Sequence, residues 1–129
     1  KLIVGNWKMN PKTVALARTS FLAIKKSVGS FKNVEAVIAA PFVYLPELSK
    51  LKSTGLGLSS QNVSAEKEGA YTGEVSASML ASLKVTYCIV GHSERRELGE
   101  SNEFISKKDQ KAFLGLLAAE KRRKEIGNL

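Results

Sequence analysis

The stretch Thr86-Tyr87-Cys88-Ile89-Val90-Gly91-His92-Ser93-Glu94 decides how the chain is read. Its first five residues are β-branched or largely apolar, the composition of a buried strand. Gly91 ends the run. The polar residues that follow, His92-Ser93-Glu94-Arg95-Arg96, read as a helix N-terminus. A strand that hands over to a helix through a short polar loop is one βα unit, the building block of parallel sheets.

The same alternation extends in both directions. Leu2-Ile3-Val4 is a short apolar run closed by Gly5-Asn6. Asn10 as N-cap and Pro11 at the first helical position start the next helix. Along it Val14, Ala17, Phe21, Ile24 and Val28 step by three and four residues on one face, and Gly29 stops it. A second strand over residues 34–40 is closed by Pro41, and a short helix over 44–51 runs to Gly55. A third strand covers 56–60, and a long polar loop covers 61–73. Val75, Met79, Leu80 and Leu83 mark a third helix. From Ser101 onward Ile105, Ala112, Phe113, Leu116 and Leu117 share one side of another. Four βα units in a row predict an α/β fold with a parallel sheet and right-handed crossovers. With no linker or low-complexity tract, residues 1–129 read as a single domain.

Composition narrows the class. The 129 residues are 43% hydrophobic and 25% charged, the balance of a soluble globular chain rather than a disordered or fibrous one. No apolar run reaches the roughly 18 to 20 residues that span a bilayer, so no membrane is expected as partner. The opening Lys1-Leu2-Ile3-Val4 lacks the form of a signal peptide. The single cysteine, Cys88, excludes an internal disulfide and points to a reducing, cytoplasmic setting. Twenty basic against 12 acidic residues give a net charge of +8, which draws anions such as nucleic acid or phosphorylated metabolites. The densest basic cluster, Lys121, Arg122, Arg123 and Lys124, reads as a solvated helix face. Few aromatics lie near it to stack on bases, so nucleic-acid binding ranks last among the readings.

In parallel α/β folds, ligands bind at the carboxyl ends of the strands. The loops there hold Asn6, Lys8, Gln61 and His92-Ser93-Glu94. His92 is the only histidine, which excludes a multi-histidine metal site, and no metal is expected. A neutral imidazole at a helix N-terminus either donates to a substrate carbonyl or simply caps the helix. Lys8 either holds an anionic substrate or is plain surface charge. Asn6 either orients Lys8 or caps a turn. Glu94 either carries a proton or pairs with a neighbouring cation. Cys88, mid-strand, reads as a small buried apolar residue. Other patterns fail: Gly55-Leu56-Gly57 precedes a strand instead of following one, and there is no phosphate-binding GK[ST] loop. His92-Ser93-Glu94 has no downstream cysteine pair to complete a zinc deaminase site.

Five segments together carry a resemblance. They are Gly5-Asn6-Trp7-Lys8-Met9-Asn10, Ala40-Pro41-Phe42, Gln61-Asn62-Val63-Ser64, Gly69-Ala70-Tyr71-Thr72-Gly73-Glu74-Val75, and Tyr87 through Arg96. In order and spacing, from Leu2 to about Lys108, the chain resembles the triosephosphate isomerase family. The resemblance implies a truncated TIM barrel of about four βα units, a half-barrel ending in a long C-terminal helix, since the full fold has eight units and about 250 residues. It implies that Asn6 and Lys8 bind a triose phosphate, that His92 polarises the carbonyl, and that Glu94 is a supporting or proton-shuttling carboxylate. Tyr71 and Thr72 match the arm that docks into a neighbouring subunit. The family interconverts dihydroxyacetone phosphate and glyceraldehyde 3-phosphate, in glycolysis and gluconeogenesis, without a cofactor. The family's glutamate base, closing lid and phosphate loops belong to the other half of the barrel, and no Glu here stands in the matching context. A positioned base is worth roughly 10²- to 10⁴-fold in rate, so the chain alone is expected to be inactive or nearly so. The partner implied is a complementing half-barrel or a homo-oligomer. The alternative is a non-catalytic, self-assembling half-barrel scaffold, because four strands leave an apolar inner face larger than the roughly 400 Å² a monomer tolerates.

Overall fold

A computed structural model of the chain describes the backbone of residues 1–127 and the side chains of residues 1–115. Four parallel strands pair in sequence order and form a half-barrel: β1 (Leu2–Asn6), β2 (Glu35–Ala40), β3 (Leu56–Ser60) and β4 (Tyr87–Cys88). The helices between and after them are α1 (Val14–Val28), α2 (Leu45–Ser49), α3 (Ala77–Ser82), α4 (Ser93–Glu97) and α5 (Asn102–Gly127). A 3₁₀ turn at Phe42–Tyr44 leads into α2. Helix α5 is continuous over its 26 residues, which bears out the expected long C-terminal helix from Ser101 onward.

Alternation of side chains across each strand sorts the sheet into two faces. Ile38, Ala40 and Leu58 point to the helices, where Phe21, Leu45, Leu48 and Leu80 complete a core with almost no solvent exposure. The opposite, inner face holds Val37, Ala39 and Ser59, also buried. On the edge strand β1, Leu2 and Val4 share that inner face by register, paired with Glu35 and Val37, and are about half exposed at 52% and 46%. The Tyr87 hydroxyl donates to Glu35 Oε1 at 2.8 Å, which ties β4 to β2 across β3.

Several boundaries differ from the sequence expectation. Helix α1 starts at Val14, capped by Thr13, whose Oγ1 accepts the Leu16 N–H at 3.2 Å; Asn10 and Pro11 lie in the preceding loop. Extended backbone at Thr13 aims its hydroxyl at the free amides of the first turn, the geometry an N-cap needs. The Pro11 carbonyl instead accepts from the Tyr44 hydroxyl at 2.6 Å. Val14 is therefore exposed, while Ala17 and Phe21 are buried. Helix α3 is capped by Ser76, so Val75 precedes it and Met79 points outward. The β4 ladder is two residues long, although Thr86 N–H to Leu58 O and Ile89 N–H to Ser60 O extend its pairing.

Helix α5 shows the largest departure. Its buried side is Lys108, Ala112 and the tightly packed Gly115, spaced by four and three residues, and Phe113 is turned outward, 65% exposed. Each residue advances about 100° around a helix, so a buried Ala112 places Phe113 off the contact. The side chains of Leu116, Leu117 and the basic residues at 121–124 lie outside the described ones. At Gly115 a Cβ would stand 2.5 Å from the Ala77 Cβ, so α3 and α5 cross at glycine contact distance. In an exposed helix Gly→Ala gains up to about 1 kcal/mol; overpacking here costs about 1–3 kcal/mol. Gly115→Ala is therefore expected to lower stability, read as a reduced urea midpoint; a raised midpoint would show that this crossing is loose.

Candidate functional site

The carboxyl ends of the strands lie side by side because the register is parallel: Asn6 pairs with Ala39, Ala40 with Ser60, and Ser60 with Cys88. A cleft of about 280 Å³ opens at this edge, lined by Asn6, Lys8, Gln61, His92, Glu94 and Arg95 among others. Every residue nominated from the sequence for binding or chemistry is thus in one place. Tyr71 and Thr72 are not; they sit on a separate exposed turn, closed by Glu74 N–H donating to Tyr71 O at 3.0 Å.

Asn6 folds its side chain back so that Oδ1 accepts the Lys8 N–H at 2.9 Å, the turn that asparagine favours. Lys8 is left-handed, with φ 54°, which costs a non-glycine residue about 1–2 kcal/mol. Gln61 Nε2 lies within 3.2 Å of Asn6 Oδ1, 2.7 Å of Lys8 O and 3.1 Å of Ala39 O. At the tip of Lys8, Nζ donates to Glu94 Oε1 at 2.6 Å. Both side chains are more than half exposed, so the pair adds little to stability and chiefly fixes position. The hydrogen bond and then the charge of Lys8 hold the Glu94 carboxyl below the usual carboxylate range.

His92 is the N-cap of α4, its Nδ1 accepting the Glu94 N–H at 3.2 Å. An acceptor Nδ1 puts the ring proton on Nε2, leaving that N–H as a donor. Capping and site chemistry, alternatives in the sequence, are compatible here because they use opposite ring nitrogens. Gly91 sets the entry to this cap with φ 69°, and a Cβ there would stand 3.0 Å from Ile105 Cγ2. The arrangement can accept an anion at Lys8 and donate from Nε2 to a carbonyl oxygen.

Behind the cleft lies a cluster that sequence reasoning missed. Lys108, 1% exposed, donates to Glu100 Oε1 at 2.5 Å and to Asn62 Oδ1 at 2.9 Å. Arg95 Nε reaches the same Glu100 oxygen at 2.9 Å. Burial raises the Glu100 pKa, but the hydrogen bonds from Lys108 and Arg95 outweigh it and leave the carboxyl below its usual range. The Lys108 ammonium also stands 4.9 Å from the Phe104 ring centroid. The signal was present in the spacing, since Lys108 falls in line with Ala112 and Gly115. Burial pushes the Cys88 thiol up to about 11, assisted by the charge of Asp109, in keeping with a passive packing residue. Among the described residues, no three His, Cys, Asp or Glu side chains converge on a metal-sized site, and no helix is long and apolar enough to cross a membrane.

A parallel half-barrel with its polar cleft at the carboxyl face belongs to the class of β/α barrels. Comparison with known proteins supplies the particular family. The triosephosphate isomerase family model matches residues 1–117, and the chain belongs to that family. It is 45% identical over 118 residues to the triosephosphate isomerase of Methylococcus capsulatus, covering 90% of this chain and 46% of the relative. The enzyme of Paracidovorax citrulli is 42% identical over 117 residues, covering 88% and 46%. The crystal structure of triosephosphate isomerase from Bartonella henselae superposes with a TM-score of 0.76 at 32% identity, over 89% of this chain and 48% of that one. The chain spans about half the length of the relatives it matches.

Removing one partner of a buried ion pair costs about 3–5 kcal/mol; Arg95 still faces Glu100, so Lys108→Met is expected at about the lower end. The sign with pH follows from the depressed Glu100 pKa. Its stabilisation is complete above the unfolded value near 4.3 and is lost as pH falls through the lower folded value. Urea unfolding at pH 7 and at steps below pH 5 should show both the loss and a flatter acid limb in the variant. An unchanged midpoint at pH 7 would mean that the cluster is not buried in solution.

Proposed function

We propose that this chain supplies the cation and the electrophile of a triosephosphate isomerase site, and that turnover needs residues from the second half of a barrel. The single observation that carries the reading is the convergence of the Lys8 ammonium, the Asn6 amide and the His92 imidazole on one cleft. In the reaction, dihydroxyacetone phosphate loses a carbon-bound proton next to its carbonyl, and a proton returns to the neighbouring carbon to give glyceraldehyde 3-phosphate. Negative charge builds on the oxygens of the enediolate between those steps. Nε2–H of His92 and the Lys8 ammonium are suited to stabilise that charge as it develops. Glu94 stays bound to Lys8 and keeps the ammonium at the cleft, a supporting role. Asn6 shapes the loop that presents Lys8. The chemistry draws on side chains alone and calls for no cofactor.

Among the described residues the cleft holds no candidate for the proton-abstracting base, since its one carboxylate is committed to Lys8. Loss of a base removes roughly 10²- to 10⁴-fold in rate, and loss of remote phosphate contacts removes the binding that drives orientation. The chain acting alone therefore turns over triose phosphate not at all or nearly so. The exposed turn at Tyr71 and Thr72 serves as the contact to another subunit in this reading, and a cytoplasmic setting accords with the unpaired Cys88.

One observation favours a second reading, a self-assembling scaffold: Leu2, Ile3 and Val4, in sequence on the edge strand, are each about half exposed. An isomerase assay on the purified chain separates the two, run with and without a polypeptide carrying the second half of a family barrel. A His92→Ala chain prepared identically controls for host enzyme. Turnover that needs both pieces and vanishes with His92→Ala supports the first reading. A defined oligomer with no turnover under either condition supports the scaffold. Turnover by the chain alone, lost in the control, would overturn the account of the missing base.

A further inference from the structure

The geometry points to Gln61 as a positioning residue for Lys8: its amide pins the Lys8 peptide to the end of β2 and so fixes where the ammonium stands in the cleft. An amide has two N–H groups, and Nε2 of Gln61 meets three acceptors between 2.7 and 3.2 Å. They come from three segments of chain: Asn6 at the end of β1, Lys8 in the loop beyond it, and Ala39 in β2. The shortest contact is to the Lys8 carbonyl. The Asn6 oxygen that Gln61 also contacts is the one that accepts the Lys8 N–H. Gln61 thus restrains the Lys8 peptide at both ends, directly at its carbonyl and through Asn6 at its amide.

Such a restraint is needed. Lys8 occupies a left-handed backbone conformation that its own side chain disfavours, and such conformations persist only where the surroundings over-determine them. Without Gln61 the loop is free to relax toward ordinary backbone angles, and the direction of the lysine stem changes with it. The ammonium then leaves Glu94, its partner at 2.6 Å. A purely structural role, bridging β1 to β2, would predict lower stability with the ammonium still in place. The inference rests on the reading of Lys8 as the cation of the site, yet it is testable without turnover, because Glu94 reports on the ammonium.

The test is an NMR titration of the Glu94 carboxyl in the full chain, with Glu47 as an internal control held by Lys50 and Arg18. The variant is Gln61→Met, which keeps the side-chain length, removes both donors and adds no charge. Lys8→Met sets the value of Glu94 without its cation. Gln61→Met is expected to move the Glu94 midpoint upward, toward that of Lys8→Met, with Glu47 unmoved. In the Lys8→Met background it should add no further shift. If Gln61→Met does not fold, Gln61→Ala, at a site open to the cleft, gives the same readout. A Glu94 midpoint that matches the parent in the Gln61 variant overturns the proposal. So does an equal shift in the Lys8→Met background, or a parent that already titrates like Lys8→Met. A titration that behaves as expected, beside a complemented chain that turns over nothing, would sink the isomerase reading and leave the positioning role standing.

Discussion

Parallel pairing of four strands in a single register is the constraint from which the rest follows. Each strand of a parallel sheet must be re-entered from the same end, so every loop at the carboxyl edge joins a strand to the helix that covers it. Register then decides which residues become neighbours. Asn6 stands beside Ala39, and Ala40 beside Ser60, so Gln61, one residue further, reaches back over Ala39 to the loop after β1. Had β2 slipped by one residue, Ile38 and Ala40 would face the barrel interior and the core behind the sheet would lose its centre. The packing of Phe21, Leu45 and Leu48 against that face is thus what holds the polar edge in line.

Two clusters of paired charge sit near the cleft, and physics treats them differently. Lys8 and Glu94 are open to water, where the Coulomb attraction is screened and the contact orients more than it stabilises. Lys108 and Glu100 are almost fully enclosed, and for them desolvation is the dominant cost, offset by hydrogen bonds that Lys108 and Arg95 donate to Glu100 and a further one that Lys108 donates to Asn62 Oδ1. The buried pair joins α5 to the loop after β3 and, through Arg95, to the helix capped by His92. One set of charges therefore lines the cleft and the other braces the elements that carry it.

Much of this was legible in the sequence, for definite reasons. Short apolar runs ending in Gly or Pro marked the strands, and the motif segments placed Asn6, Lys8, His92 and Glu94 just past their ends. What escaped was local competition and disguised burial. Asn10-Pro11 carries the signals of a helix start, but Thr13 has the extended backbone that an N-cap needs and takes the role. The buried stripe of α5 is written in Lys, Ala and Gly, residues that no hydrophobic pattern flags, while Phe113 drew the eye to the wrong face. Gln61 was visible as a strand-end residue, yet its three-way contact depends on β1 and β2 together and has no signature in its own neighbourhood.

The sheet has two unlike borders, β1 on one side and β4 on the other, and all four strands point the same way. A junction between the β4 border of one molecule and the β1 border of the next would be head-to-tail, never a face meeting its own image. Such contacts have two fates: they close into a ring when the curvature brings the last border round to the first, or they continue without limit as a fibre. The curvature of this half-barrel is thus more than a matter of shape. For molecules joined in this way, it would separate a finite particle from a growing one.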